Sequence, residues 1–407
     1  MLRNEKGLTK VKTLIELFDE SQIENVIAAL SLKPEKIIFV GFKEVMTKER
    51  TKAIENFFME NCKGSIVDFE VVGRFDLEAV KERIASLVLK NPDAVIDITG
   101  GKELVIAALG EVLAENNVPV VQFDIKSGKI IPVKNAEGIE IIENPKIKIK
   151  DLISLNCGKV VKDDGDWTLD SDFCEDIESV FALSKENCGL WNRQATALGN
   201  FEKYGNLDAF FRVSINLYEI RKRKKDAFID EALLEKLKDK NLIYGYEKNG
   251  DYLSFFYKND SVRRLITKSG NVLELYGYML INEIMKENPS FADDCDVGVF
   301  LDWDGVDTSG AETRNEIDLM VIKDFVPVFI SCKNGEVYKE ALYELDTMAH
   351  KFGGAYAKKV MFASYVSTDS AKKEYIKKRA SDMGIILIDG IEKMEREEFK
   401  NKIKQLI

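Results

Sequence analysis

The sequence predicts an α/β protein of several domains, and three observations carry that expectation. Short apolar runs alternate with helix-period segments from residue 11 to about 134, the signature of a mostly parallel sheet covered by helices on both faces, a Rossmann-like layout. Helix patterns then dominate up to two aromatic runs joined by "KNGD" (248–251), which outlines a winged helix. The remainder reads helix, three strands, helix, strand, helix, strand. At 407 residues the chain exceeds one ordinary domain, and the expected units are 1–135, 136–268 and 269–407.

Each element has its own justification. Strands are expected at "VKTLIEL" (11–17), "KIIFVG" (36–41), "SIVDFEVVG" (65–73), "DAVIDIT" (93–99) and "VPVVQFD" (118–124), with "KIIPVKN" (129–135) as a last strand. Between them "ERTKAIENFFMENC" (49–62) and "DLEAVKERIASLVLK" (76–90) carry the helical period. The pattern weakens from 136 to 170, where "NPKIKIKDLISL" suggests a strand and a helix and "KVVKDDGDWTLD" a connecting strand or linker. The basic run "RKRKK" (221–225) follows a helix. It reads either as a solvated helix end, which cations favour on dipole grounds, or as a contact for DNA. From Ser269 onward come the helix "GNVLELYGYMLINEIMKEN", the strand "DVGVFLDW" and the hairpin "NEIDLMVIKDFVPVFISCKNG" (315–335). A helix (338–354), strand (358–366), helix (369–384) and strand (385–390) complete the chain.

Composition removes several functional classes. A net charge of −11 argues against a generally basic, nucleic-acid-coating surface, though carboxylates that hold divalent cations are themselves acidic. No apolar run approaches the ~20 residues that span a bilayer, and the N-terminus lacks the apolar centre of a secretory signal. Six cysteines are scattered without a CxxC pair, so zinc ribbons and disulfide frameworks are not expected and the cytoplasm is. The single histidine, His350, rules out paired-imidazole zinc or ribonuclease sites. No GxSxG elbow, Walker A loop or GxGxxG fingerprint is present.

Two stretches carry chemistry. "DITGGKELVIAAL" (97–109) puts Thr99, Gly100, Gly101 and Lys102 where the fourth strand hands over to a helix. Backbone N–H groups at a helix start attract phosphate and glycines allow close approach, so an anionic, phosphorylated ligand is expected there; the plainer alternative is an ordinary tight turn. In the C-terminal hairpin, Asp318 lies between Ile317 and Leu319 and points to the opposite face of its strand. A charge in so apolar a strand is costly unless paired or metal-bound, and Lys333 closes the next strand in register to reach the same edge.

Residues 1–135 resemble the CARF domains of CRISPR-associated effectors, on the strength of the Thr99–Lys102 loop, "FDESQIENVIAAL" (18–30) and "VGFKEVMTKER" (40–50). With the winged-helix-like middle and an Asp318/Lys333 hairpin similar to PD-(D/E)xK restriction-endonuclease-like domains, the resemblance covers essentially the whole chain. It implies the layout of type III CRISPR accessory nucleases: homodimers activated by cyclic tetra-adenylate, requiring Mg²⁺ or Mn²⁺, cleaving DNA or RNA and serving antiviral defence. It also implies ligand contacts from Thr99, Gly100, Gly101 and Lys102, with Phe18, Asp19, Gln22, Gly41, Phe42, Thr47 and Lys48 placed by loop position. The metal would take Asp318, Glu274 of the Gly-x-x-Leu-Glu helix and the backbone carbonyl of Cys332. Glu316, on the same strand face as Asp318, and Glu344 on the following helix are further candidates.

Ser331 departs from the pattern, standing where the family has a glutamate. Three readings follow: Asp318 and Glu274 suffice, Glu316 compensates, or catalysis is impaired. The last leads to a different class of protein, a ligand-responsive winged-helix DNA-binding regulator with an inactive nuclease domain.

Overall fold

The computed structural model describes residues 9–73, 76–125, 127–141, 146–163, 167–224, 228–305 and 314–407. The basic run loses Lys225 to this limit, and the 159–170 stretch loses residues 164–166.

The N-terminal unit contains β1 (Thr13–Leu17), α1 (Ile27–Leu32), β2 (Lys36–Phe42), α2 (Lys48–Asn61), β3 (Ile66–Val72), α3 (Leu77–Lys90), β4 (Ala94–Asp97), α4 (Glu103–Glu115), β5 (Val120–Asp124) and β6 (Lys129–Lys134). Its sheet runs β3-β2-β1-β4-β5-β6. All neighbours are parallel except β5 and β6. β1, β2 and β4 are nearly continuous apolar runs because helices cover both faces. Thr47 caps α2 and Asp76 caps α3, which starts each helix where the apolar period begins.

Two elements follow, α5 (Ile149–Leu155) and β7 (Lys159–Asp163). The middle unit then has α6 (Ser171–Glu186), α7 (Cys188–Tyr204), β8 (Asn206–Leu207), β9 (Arg212–Asn216), α8 (Leu217–Arg223), α9 (Glu231–Asp239), β10 (Ile243–Asn249), β11 (Tyr252–Tyr257) and α10 (Asp260–Thr267). Its sheet is β10-β11-β9-β8. The expected winged-helix outline is there: α9 leads into the β10–β11 hairpin, whose turn uses Gly250 at φ +59°. Arg221, Lys222 and Arg223 form the last turn of α8, where Lys222 pairs with Glu219 at 2.7 Å. All three are exposed.

The C-terminal unit comprises α11 (Asn271–Glu287), β12 (Asp294–Asp302), β13 (Arg314–Lys323), β14 (Val326–Lys333), α12 (Lys339–Gly353), β15 (Lys358–Ala363), α13 (Ser370–Asp382), β16 (Ile385–Asp389) and α14 (Arg396–Leu406). The sheet order is β16-β15-β14-β13-β12-β7. This corrects the sequence-based grouping of 136–268. β7 is the edge strand of the C-terminal sheet, pairing antiparallel with β12 so that Val160 lies opposite Leu301. The linker's start, by contrast, bridges back to the N-terminus through Thr9 and Ile139. The segment therefore touches both neighbours, by a single bridge at Ile139 on one side and by the edge strand β7 on the other.

The hydrophobic core crosses the domain boundary. The β13–β14 turn places Asp324 and Phe325 at φ +48° and +69°, a left-handed conformation unusual for bulky side chains. Phe325 is buried and packs edge-on against Phe123 of β5, ring centroids 5.6 Å apart. The hairpin that carries Asp318 and Lys333 is thus plugged into the N-terminal sheet.

Candidate functional site

Two places gather the residues singled out above. The first lies at the carboxyl ends of β1 and β4, the neighbouring strands at which the strand order reverses, where open α/β sheets bind ligands. Gly101 sits at φ +110°, and a Cβ there would come within 2.6 Å of Leu17 Cβ, so only glycine fits. A Cβ on Gly100 would lie 3.0 Å from Asp19 Cβ. Asp19 ties the two loops together: Oδ2 accepts from the Gly101 N–H at 3.0 Å and Oδ1 from the Ser21 N–H at 3.0 Å. Lys102 pairs with Glu20 at 2.9 Å, a contact that raises its pKa. Lys102 is also the N-cap position of α4, which has no side-chain cap.

Thr99 faces inward. Its hydroxyl donates to Asp97 Oδ1 at 2.7 Å and accepts from the Phe123 N–H at 2.7 Å. Beneath it, Asp97 lies opposite Glu16 across β4 and β1, both essentially without exposure. Burial, then the Asp97 carboxylate, lifts Glu16 well above the ordinary range; burial alone is the main lift on Asp97, to about 6. Glu16 Oε1 and Asp97 Oδ2 have no hydrogen-bond partner among the described residues. Glu24 is pushed up to about 7 by burial and by Asp19 and Asp97. None of these three acids was a sequence candidate, although Glu16 and Asp97 carry the same signal as Asp318, a charge inside an apolar strand.

The remaining loop candidates separate. Gln22 is buried beside Asp19, donating to the Asp19 and Glu20 carbonyls at 3.2 and 3.3 Å. Phe18 and Phe42 are core rings at 1% exposure, and Gly41 lies against Phe18, where a Cβ would approach to 2.9 Å. Thr47 accepts from the Arg50 N–H at the start of α2, and Lys48 beside it is exposed.

The second place is the edge of the β13–β14 hairpin. Asp318 Oδ2 accepts from the Cys332 N–H at 2.6 Å and from the Ser331 hydroxyl at 3.0 Å, with Lys333 Nζ at 3.6 Å. Ser331 is therefore a donor to the carboxylate that a glutamate would have repelled. Lys333 divides two openings. A cleft of about 220 Å³ is lined by Asp318, Ser331, Glu316 and Glu344, and one of about 440 Å³ by Glu274, Asn334 and Glu336. Burial lowers the Lys333 pKa, but Asp318, Cys332 and Glu274 outweigh it and the net shift is upward, so the side chain stays an ammonium.

Glu274, in the first turn of α11, is 6% exposed, and burial followed by the Asp318 charge pushes it up to about 8. A Cβ at Gly270 would fall 2.6 Å from Glu274 Oε1, so the glycine of the Gly-x-x-Leu-Glu run makes room for the carboxylate. Glu316 pairs with Lys268 at 2.7 Å, which neutralises it. Glu344 accepts from Asn315 Nδ2 at 3.4 Å, on the wall of the smaller cleft. Burial holds the Cys332 thiol far above its usual pKa, leaving its backbone carbonyl as the only ligand it offers.

Among the described residues no group of three or more His, Cys, Asp or Glu side chains is arranged to hold a metal ion. The donors present are oxygens of Asp318 and Glu274, whose charges oppose each other across a buried gap. That set fits a hard cation of the Mg²⁺ kind, which takes one or two carboxylates and completes its shell with water and substrate phosphate. No helix of the described residues is long and apolar enough to cross a membrane.

No family model matches the sequence, and no curated protein does. Solved structures do. Protein VC1899 from Vibrio cholerae superposes with a TM-score of 0.73 at 15% identity, over 97% of this chain and 97% of that one. Can2 from Sulfobacillus thermosulfidooxidans, solved in complex with cyclic tetra-adenylate, gives 0.68 at 16% identity, over 98% and 97%. A type III CRISPR defence DNA nuclease activated by cyclic oligoadenylate gives 0.50 at 16%, over 90% of this chain and 48% of that one. The chain therefore has, from end to end, the fold of the first two.

Proposed function

We propose that the protein is a nuclease of type III CRISPR defence, switched on by cyclic tetra-adenylate and dependent on Mg²⁺ or Mn²⁺, cleaving DNA, RNA or both as a homodimer. The observation that carries this reading is the convergence of Asp318, Glu274 and the Lys333 ammonium on one hairpin edge. It sits in a chain whose fold matches a cyclic tetra-adenylate complex throughout.

Asp318, Glu274 and the Cys332 carbonyl would hold the cation, which supplies charge neutralisation at phosphate and a bound water of lowered pKa. The chain's own contribution is positional and electrostatic. The Cys332 N–H and the Ser331 hydroxyl fix Oδ2 of Asp318 and so hold its rotamer. Lys333 places a permanent positive charge beside the phosphate that enters the cleft, where charge develops as the P–O bond breaks. The sensor reading rests on the Thr99–Lys102 turn at the switch point, with uncapped α4 behind it. Ligand bound across two copies would shift the dimer between arrangements with different access to the clefts.

The test is cleavage of single- and double-stranded DNA and RNA, with Mn²⁺ or Mg²⁺, with and without cyclic tetra-adenylate. Ligand-stimulated cleavage that Lys333→Ala removes supports the proposal. No cleavage of any substrate, with Ser331→Glu equally silent, would sink it. The regulator reading draws on Ser331 and on the exposed aromatics Tyr244 and Tyr252 of the middle sheet; a ligand-dependent duplex shift without strand breaks would favour it.

A further inference from the structure

The sensor crevice is not built by the N-terminal unit alone. A cavity of about 380 Å³ has Arg50, Lys102 and Gln22 on one side and His350, Lys351 and Gly354 from the C-terminal unit on the other. The two sides touch closely. Gly354 sits at φ +64°, and a Cβ there would stand 3.2 Å from Ser21 Oγ.

Asp19 and Glu20 also line the cavity, but Asp19 is taken up by the Gly101 and Ser21 N–H groups and Glu20 by Lys102, and three features then give the cavity the chemistry of an anion site. Arg50 donates to the Val45 carbonyl at 3.1 Å. Among the described residues, neither Arg50 nor Lys351 has a carboxylate within salt-bridge distance, whereas Lys102 is paired with Glu20. Both unpaired cations act electrostatically on Cys157, another wall residue, which places their charges at the same opening. Gln22 is 2% exposed and its Oε1 has no partner among the described residues. A buried amide oxygen in that state is costly unless a donor reaches it, and an exocyclic amine or ribose hydroxyl is such a donor.

The wall that carries Lys351 also matters at its far end. α12 runs 15 residues, about 22 Å. Ala341, Glu344, Leu345 and Met348 of the same helix line the Asp318 cleft. One rigid helix therefore borders both cavities.

We propose that α12 contributes directly to ligand recognition: Lys351, with His350 beside it, contacts a phosphodiester of the cyclic oligonucleotide seated on the sensor loop. The bound ligand thereby acts on the helix that walls the nuclease cleft. This rests on the reading of the crevice as a cyclic oligoadenylate sensor. A tetra-adenylate ring carries one negative charge per phosphodiester, so removing an unpaired cation from the wall weakens it specifically.

The experiment measures the affinity of the full chain for cyclic tetra-adenylate by calorimetry, for wild type, Lys351→Glu, Lys351→Ala and Lys378→Glu. Lys378 is exposed on α13, so its variant makes the same charge change away from the cavity. Lys351→Glu is expected to weaken binding by about tenfold to a hundredfold, as loss of a charge-assisted contact does. Lys351→Ala should lose less, and Lys378→Glu should stay within about twofold. Should Lys351→Glu fail to fold by circular dichroism, Lys351→Ala carries the comparison. Wild-type affinity retained by the folded Lys351 variants, or an equal loss in Lys378→Glu, overturns the role of α12 while leaving the sensor reading intact. Absence of binding by wild type overturns both.

Discussion

The crevice at β1 and β4 and the hairpin edge each hold a buried glutamate that burial and then a neighbouring aspartate drive upward, Glu16 beside Asp97 and Glu274 beside Asp318, yet their surroundings differ. Glu16 and Asp97 are sealed beneath a loop, and among the described residues no cation sits with them. Asp318 and Glu274 share their surroundings with Lys333 and open onto two clefts. Buried acid pairs are thus not in themselves a mark of chemistry. A neighbouring permanent cation and two open clefts set the Asp318 and Glu274 pair apart from the pair sealed beneath the loop.

Four substitutions press on that contrast, in decreasing order of effect. Lys333→Ala should lower ligand-stimulated cleavage by about a hundredfold to a thousandfold, with cyclic tetra-adenylate affinity unchanged; retained turnover would put the hairpin edge on a level with the sealed pair. Phe325→Ala removes the ring that joins the two regions and should cost about 3 kcal/mol or more of stability, read by chemical denaturation. A loss below about 1 kcal/mol would mean that the regions are joined elsewhere.

Asp97→Asn addresses the sealed pair. Asp97 is held at about 6 against an ordinary 3.8, so between about pH 4 and 6 the folded chain keeps a proton that the unfolded chain releases. Its contribution to stability therefore falls as pH rises through that window. Asparagine has no such slope. The thermal midpoint of the variant, relative to wild type, should climb from pH 4 to pH 6 by the equivalent of roughly 1–2 kcal/mol. Parallel curves would show that Asp97 ionises as an exposed acid does. Ser331→Ala, the smallest change, removes one of two hydrogen bonds on Asp318 Oδ2 and should slow cleavage by roughly threefold to tenfold. An unaltered rate would leave Cys332 N–H and Lys333 as sufficient supports.

Much of the architecture was readable from periodicity, because sheets covered on both faces write uninterrupted apolar runs, as "KIIFVG" and "DAVIDIT" do. The C-terminal order of helix, three strands, helix, strand, helix, strand was likewise legible, and only α14 had not been anticipated. Its Lys400 is buried against Glu283 and Glu287 at 2.6 Å, a partnership that no local pattern announces. The site was legible where a charge interrupted an apolar strand. That signal marks Asp318, and it is equally present at Glu16 and Asp97. What spacing could not supply is pairing across the fold. Glu316 looks like a ligand until Lys268 is found beside it, Thr99 looks outward until Asp97 is found beneath it, and Phe18 and Phe42 are drawn into the core although their neighbours line a loop. That α12 shares a cavity wall with Arg50 was unreadable for the same reason, since nothing near Lys351 in sequence points to Arg50.

The position of β7 has a consequence for how the chain is made. Its partner β12 begins at Asp294, whereas β7 ends at Asp163, so 294 − 163 = 131 positions separate them. At ~5–20 residues per second the ribosome takes roughly 7 to 26 s to deliver the partner strand. Throughout that interval Val160 and Val161 belong to a strand without a sheet, while the whole middle unit is completed between the two halves of the pair. The C-terminal sheet is therefore the last part of the chain to close. A fragment beginning at Ser269 would emerge with β12 as a bare edge, open to pairing with its own copies.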